Sequence, residues 1–469
     1  MTSCSSSFAF TSMALRSLRL EEDLLERQRF RKRLVAPQAN RYLLQKEARQ
    51  QGKGQKTGSS TEPPPVCQDL VVQNAIFSGD LETIRELFPK GTSVNFIIES
   101  RGEDLRWISK EMGLWSLTYE QELTTPIHIT AARGYTDCLK HLLMRGSDVD
   151  MAPGGKTALH EACENATTEC ARLLLAFGAS ANAVTEDGLM PLHLCTTPES
   201  LQCAKLLLQF GATVNGRSLE EDDTPLHVAA RYGLPGHMDL YLRYGAAIER
   251  QNDEGQTPLN CACSQPQSVN ELERYYQVCQ LLVGAGANIH ACDQDRQSPL
   301  HMACKNANPE AVELLLQRGA SVNSMSYSGD APMHNILKGV AYKLEHQPER
   351  IVRSLLNHGS IRVWPGALPK VLKYCCTSPR TIEALLNAYD RLKITDSWVE
   401  AVPLDVFEKH SSFYESLFSL MHSPRSLQHL VRCRLRTLLE GRLHLVVSQL
   451  GLPTFVQNYL LLAFTDALH

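Results

Sequence analysis

"KTALHEACENATTECARLLLAFGASAN", Lys156 to Asn182, reads as two short helices and a turn. Thr157 offers a hydroxyl that can cap the first helix. Leu159, Ala162 and Cys163 make its apolar face, and Leu173-Leu174-Leu175 the stripe of the second. Small residues stand where two helices pack closest. Gly178 follows the stripe and suits a left-handed helix terminus. The same grammar recurs in "TTPIHITAARGYTDCLKHLLMRGSDVD" from 124, "MPLHLCTTPESLQCAKLLLQFGATVN" from 190 and "DTPLHVAARYGLPGHMDLYLRYGAAIE" from 223. It returns in "TPLNCAC" from 257, "SPLHMACKNANPEAVELLLQRGASVN" from 298 and "APMHNIL" from 331. In most copies Pro occupies the first helical position, where a missing N–H is no loss.

The tetrads open at Thr125, Thr157, Met190, Thr224, Thr257, Ser298 and Ala331, separated by 32, 33, 34, 33, 41 and 33 residues. A period near 33 with Thr-Pro-Leu-His is the mark of the ankyrin repeat, so the chain is expected to be an all-α solenoid with short β-hairpin-like connections. "DLVVQNAIFSGDLETIRELFPKGTSVN", residues 69–95, fits a degenerate first repeat that turns at Ser78-Gly79-Asp80. "GALPKVLKYCCTSPRTIEALLNAYDRL", residues 366–392, reads as a terminal pair around Ser378-Pro379. Altered end units are expected because each must present one face to solvent. The array therefore runs over 66–395, with an insert at 96–123. The spacing of 41 implies about eight extra residues near "SQPQSVNELERYY", lengthening an interhelix loop.

Several apparent sites dissolve into this grammar. His128, His160, His193, His227, His301 and His334 come one per repeat and are read as ties between a helix start and the adjacent turn, not as metal ligands. Asn260 takes that place in one copy, so a hydrogen-bonding side chain suffices. "DMAPGGKT", residues 150–157, has Asp150 where a phosphate loop needs glycine, and "HEACE" from His160 lacks the second histidine of a zinc protease. The 15 cysteines are dispersed, which favours reduced, buried thiols. No nucleophile, base and orienting group recur together, so a non-catalytic chain without cofactor or metal is expected.

Charge narrows the partners. The chain has 47 basic and 51 acidic residues; residues 1–60 carry net +7 and the remainder −11. Nothing here argues for nucleic acid, and no run of about 18 apolar residues exists to span a bilayer. A cytoplasmic location is expected, with the nucleus left open. Residues 1–65 are read as a basic arm, helical over 14–34 ("ALRSLRLEEDLLERQRFRKRL"), followed by a Gly/Ser/Pro-rich linker. An ankyrin array offers an extended surface of hairpin tips and inner helices suited to gripping a protein. Candidate contacts are the tip acids Asp187, Asp253 and Glu254 and the insert aromatics Trp107, Trp115 and Tyr119. Solvated tips, and tryptophans packed on the first repeats, are the plainer alternative.

After residue 395 the period ends. Residues 396–422, with Phe407, Phe413, Tyr414, Leu417 and Phe418, are expected to form a connecting helix packed on the last repeat. In "SPRSLQHLVRCRLRTLLEG", residues 423–441, Ser426 can cap a helix whose Leu427, Leu430, Val431, Leu435, Leu438 and Leu439 recur at three and four, with Arg432, Arg434 and Arg436 off the stripe. "LGLPTFVQNYLLL" follows from 450, with Pro453 opening another helix. Ankyrin repeats followed by Ser-Leu-x-x-Leu-x-Arg and a terminal Leu-x-Leu-Pro stretch resemble the ankyrin repeat and SOCS box family.

That resemblance implies a three-helix SOCS box over 423–469 and a substrate-recognition adaptor of a cullin-RING ubiquitin ligase, itself not an enzyme. Elongin C, with Elongin B, would bind through Leu427, Leu430, Val431 and Leu435. Cullin 5, with its RING protein, would meet Leu450, Leu452 and Pro453. The array would select a protein target for ubiquitination and proteasomal degradation. Val431 stands where the family has Cys, which implies weakened rather than lost Elongin binding; Gly451 replaces the first proline of Leu-Pro-x-Pro. The other reading is an ankyrin scaffold in intracellular signalling without ubiquitination.

Overall fold

The computed structural model describes residues 66–110, 114–392, 394–420, 425–439 and 441–463, with the backbone alone over 99–122. The basic arm lies outside the described residues. From Leu70 the chain stacks antiparallel helix pairs. The first pair is Leu70–Ser78 and Leu81–Leu87, and the last is Leu368–Cys375 and Pro379–Leu386. In between, inner helices start at the tetrads, as in Pro126–Ala132, Ala158–Glu164 and Pro299–Asn306. Each is followed by an outer helix such as Thr136–Met144, Thr168–Ala176 or Pro309–Gln317. The copy at 190 opens with a tighter 3-10 turn, Pro191–Leu194.

One apolar core runs the length of the stack, from Ile76 and Ile84 through Leu159, Leu174, Leu207, Leu226, Leu259, Leu300 and Leu315 to Leu355 and Leu385. Leu159, Leu174, Leu226, Leu259, Leu300 and Leu315 come from the faces read in the sequence, so periodicity at three and four translates there directly into burial. Most cysteines of the array are buried in the same core.

The tetrads work differently from a simple hydroxyl cap. Nδ1 of His160 accepts the Thr157 backbone N–H at 3.1 Å and lies 2.8 Å from the Thr157 hydroxyl. That leaves the proton on Nε2, which donates to the Leu189 carbonyl at 3.2 Å, the residue just before the next tetrad. His128 reaches Lys156 O at 2.9 Å, His193 reaches Asp223 O at 3.1 Å and His227 reaches Gln256 O at 3.1 Å. These four histidines thus sew one repeat to the next. Asn260 does the same through Nδ2 to Ala291 O at 3.2 Å, and there the Thr257 hydroxyl accepts the Asn260 N–H at 3.4 Å. Burial pushes His128, His160 and His227 down to about 4, so these rings are neutral at neutral pH.

Three regions depart from the expected organisation. The insert is a two-stranded antiparallel ribbon, β1 (Ile98–Lys110) and β2 (Leu114–Thr124), and not a mere connection within an all-helical array. The eight extra residues near 265 divide between a loop with a 3-10 turn, Val269–Glu271, and an outer helix lengthened to 13 residues, Leu272–Gly284. The segment 396–422 is not one helix; it breaks into Asp396–Glu400, Leu404–Lys409 and Ser411–Ser419. Pro403 stops the first break being bridged, because it has no N–H to continue a helix. Tyr414 anchors this segment, its ring fully buried and its hydroxyl donating to Cys376 O at 2.5 Å. Three final helices follow, Leu427–Leu439, Leu443–Gln449 and Thr454–Leu460.

Candidate protein-docking site

The Leu427–Leu439 helix is capped by Ser426, whose hydroxyl accepts the His429 N–H at 3.3 Å. Its two faces are the reverse of what a sealing helix would show. The face against the array is polar: His429, Arg432 and Cys433 are buried. His429 Nε2 lies 2.7 Å from Tyr389 O, and Arg432 donates to Asn387 O at 3.3 Å and to His429 Nδ1 at 2.9 Å. Arg436 donates to Asn357 Oδ1 at 2.8 Å and Leu460 O at 2.7 Å. Burial lowers Arg436 to about 10, still cationic at neutral pH, and Arg432 stacks over the Tyr459 ring at 4.3 Å.

The opposite face is apolar and meets water. Leu427 is 77 % exposed, Val431 52 %, Leu438 60 % and Leu435 38 %, one helical turn after another. Leu430 is half-buried beside them. Proteins ordinarily bury a helix's apolar stripe and leave arginines in solvent. Here the inner contacts are made by arginine and histidine, and the leucines are left over for something else. Cys433 points into the junction, 3.4 Å from His429 Nε2, with its thiol pushed up by burial, so it is no part of the outward stripe.

The remaining two helices close a small separate core of Leu443, Val447 and Leu460, with Leu439, Leu452, Val456 and Leu461 against it. The His358 and His444 rings stack at 3.8 Å between centroids where this core meets the array, and Asn357 donates to Leu461 O at 3.0 Å. Residues 67–184, 127–218 and 267–365 match the ankyrin-repeat family, and residues 423–461 match the SOCS box family. The chain is 42 % identical over 456 residues to ankyrin repeat and SOCS box protein 16 of Mus musculus, covering 97 % of this chain and 98 % of that one. It is 41 % identical over 455 residues to the protein 16 of Homo sapiens, covering 97 % of both. With ankyrin repeat and SOCS box protein 10 of Homo sapiens it shares 45 % over 412 residues, 85 % of this chain and 88 % of that one.

The chain belongs to the ankyrin repeat and SOCS box family. At the level that family shares, it is a substrate-recognition adaptor of cullin-RING ligases. Among the described residues no helix is long and apolar enough to cross a membrane. In the SOCS box loop, Leu450 and Pro453 are exposed whereas Leu452 is half-buried in the small core. Gly451 has φ +58, a conformation closed to proline, whose ring holds φ near about −65°. The glycine therefore changes the loop's path as well as its side chain.

On the array, Asp187 and Glu254 are exposed at hairpin tips, while Asp253 is half-buried. The tips are strung together through their backbones: Asp253 N–H donates to Glu221 O at 2.9 Å, Gln294 N–H to Glu254 O at 3.0 Å and Tyr327 N–H to Asp295 O at 3.0 Å. Sequence reasoning missed Arg231, which bridges Glu221 at 2.5 Å and Asp223 at 2.6 Å and ties a tip to its inner helix. The run Glu221-Asp222-Asp223 before Thr224 was the available signal. Trp107, Trp115 and Tyr119 lie on the ribbon, in register with Leu117, Ser109 and Leu105 respectively.

Proposed function

We propose that the exposed Leu427, Val431 and Leu435, with the half-buried Leu430 beside them, bind Elongin C, with Elongin B, and that Leu450, Leu452 and Pro453 form the element that faces Cullin 5 and its RING protein. The array then holds a protein target whose lysines receive ubiquitin, leading to proteasomal degradation. The observation that carries this reading is the inverted Leu427–Leu439 helix. Its Arg432, Arg436 and His429 are used inward on Asn387, Asn357 and Tyr389, so the outward leucines remain free for a partner. Burying one such leucine contributes about 1.5 to 3 kcal/mol, and a few of them suffice for a stable complex. A helix that only sealed the solenoid would bury this stripe. Residues 423–469 act as one recruiting unit in this reading, with the array, 66–395, as the target-binding unit.

The experiment is recovery of Elongin B, Elongin C and Cullin 5 with the tagged full chain from cells, beside a variant lacking 423–469. Recovery of all three by the full chain alone is expected. Absence of Elongin B/C from the full-chain sample refutes the reading and leaves an ankyrin scaffold. Elongin B/C together with a different cullin refutes the Cullin 5 assignment alone.

A further inference from the structure

We infer that the outer edge of β2 is a docking edge at which an extended segment of the target adds as a third strand; this rests on the adaptor reading and specifies how the target is held. The sheet among the described residues has two strands, so each strand has an edge without a strand partner. The two edges are not equivalent. The register shifts between Arg101 and Leu105, setting Gly102, Glu103 and Asp104 of β1 against Glu120 alone of β2, which is a bulge on the β1 side. β1 also carries Glu99, Arg101, Arg106 and Lys110. Bulges and charges are how proteins blunt an edge against pairing, and β1 has both.

β2 has neither over its outer half. Leu114 to Tyr119 reads "LWSLTY", without charge, proline or glycine. An uncharged, β-prone run of about six residues on an open edge invites another strand, and is retained where pairing is wanted. The register pairs Leu105 with Tyr119, Trp107 with Leu117 and Ser109 with Trp115, so a strand added beside β2 would continue a row of mostly apolar pairs. The outer six residues of β2, Leu114 to Tyr119, span about 20 Å, enough for one ordinary strand to pair.

The ribbon's root is fixed. Ile98 and Phe96 are buried in the common core, and a Cβ on Gly154 of the next hairpin would come 2.8 Å from Leu123 O. The ribbon's root thus sits beside the next hairpin tip. Near the root, Glu120 and Glu122 are the only charges on β2, so the fitting partner is an uncharged, alternately apolar segment flanked by Lys or Arg. Such a strand is held by main-chain hydrogen bonds for affinity and by alternate side chains for selectivity.

The test uses the full chain bound to Elongin B/C as bait for a phage-displayed random dodecapeptide library, followed by titration of the enriched peptides as synthetic compounds. Enriched peptides with an apolar, uncharged centre and a basic flank are expected. Their affinity should fall by about tenfold or more on alternate backbone N-methylation, which keeps the side chains and removes the donors. The same loss is expected for a chain in which a Gly-Ser-Gly turn replaces residues 101–121 and for the milder Thr118→Pro. No enriched peptide, peptides that bind the shortened ribbon equally, or tolerance of N-methylation would each overturn the proposal. So would a full chain that is dimeric and becomes monomeric when the ribbon is shortened, because a second copy would then fill the edge. Elongin B/C retention is scored in every sample and peptide titration is repeated on the chain alone, so failure of the adaptor reading registers separately.

Discussion

Leu427→Asp should separate binding from stability. Leu427 is the first residue of its helix and 77 % exposed, so the substitution removes little that is packed in the free chain. A carboxylate in the first turn interacts favourably with the helix dipole, by about 0.3 to 1 kcal/mol. The melting temperature of the chain should therefore stay level or rise slightly. On binding, the leucine's remaining surface forfeits about 2 kcal/mol, and an unpaired carboxylate forced into an apolar pocket adds about 2 kcal/mol more. About 4 kcal/mol corresponds to roughly a thousandfold weaker association. Calorimetric titration of Elongin B/C, paired with differential scanning calorimetry of the free chain, reads both quantities. A change in affinity below about threefold, or a melting temperature lower by several degrees, would show that Leu427 packs within the chain and would refute the two-faced helix.

Arg436→Met should do the opposite: loss of its bonds to Asn357 and Leu460 O costs about 2 to 3 kcal/mol at the junction, read as faster limited proteolysis between 390 and 425, with Elongin affinity unchanged once bound. Gly188→Ala should destabilise more than Gly178→Ala. Both glycines have positive φ, but a Cβ at 188 meets Leu219 Cγ at 2.1 Å whereas 178 has no atom within 4 Å; chemical denaturation should rank them accordingly, with about 1 kcal/mol for the backbone cost alone at 178. Acid should weaken the array. The buried rings of His128, His160 and His227 are held near about 4, below the unfolded value of 6.5, so the unfolded chain binds more protons between these limits and stability falls as pH drops through that window. By pH 5 each ring lowers stability by about 2 kcal/mol, and His160→Asn, which copies Asn260, should flatten its share of the melting-temperature decline between pH 7.5 and 5.

The repeat array was legible because each tetrad fixes a helix start and each leucine stripe a buried face, and both recur at a spacing that little else produces. Even the histidines read correctly as ties, although the direction of the cap did not: a ring nitrogen that accepts the backbone N–H looks, in sequence, the same as a hydroxyl that does. The ribbon was hidden by its position. Leu105 and Trp107 flank Arg106, and Trp115, Leu117 and Tyr119 are separated by Ser116 and Thr118, but an insert inside a helical array is read as a loop unless that period of two is looked for. The Leu427 stripe was equally visible as apolar, yet its orientation was not. Arg432 and Arg436 look like solvent-facing residues, and only the carbonyls of Asn387 and Leu460 and the side chain of Asn357, 24 to 79 residues away in sequence, reveal that they face inward. Gly451 illustrates the same limit, since its left-handed backbone is a property of the loop and not of the letter.

The central claim is that the outward face of the Leu427–Leu439 helix recruits Elongin B/C. Its most direct test is mixing the purified full chain with purified Elongin B/C at micromolar concentration and measuring mass by size-exclusion chromatography with light scattering. A complex holding one copy of each protein is predicted. Separate elution of the chain and of Elongin B/C would contradict it.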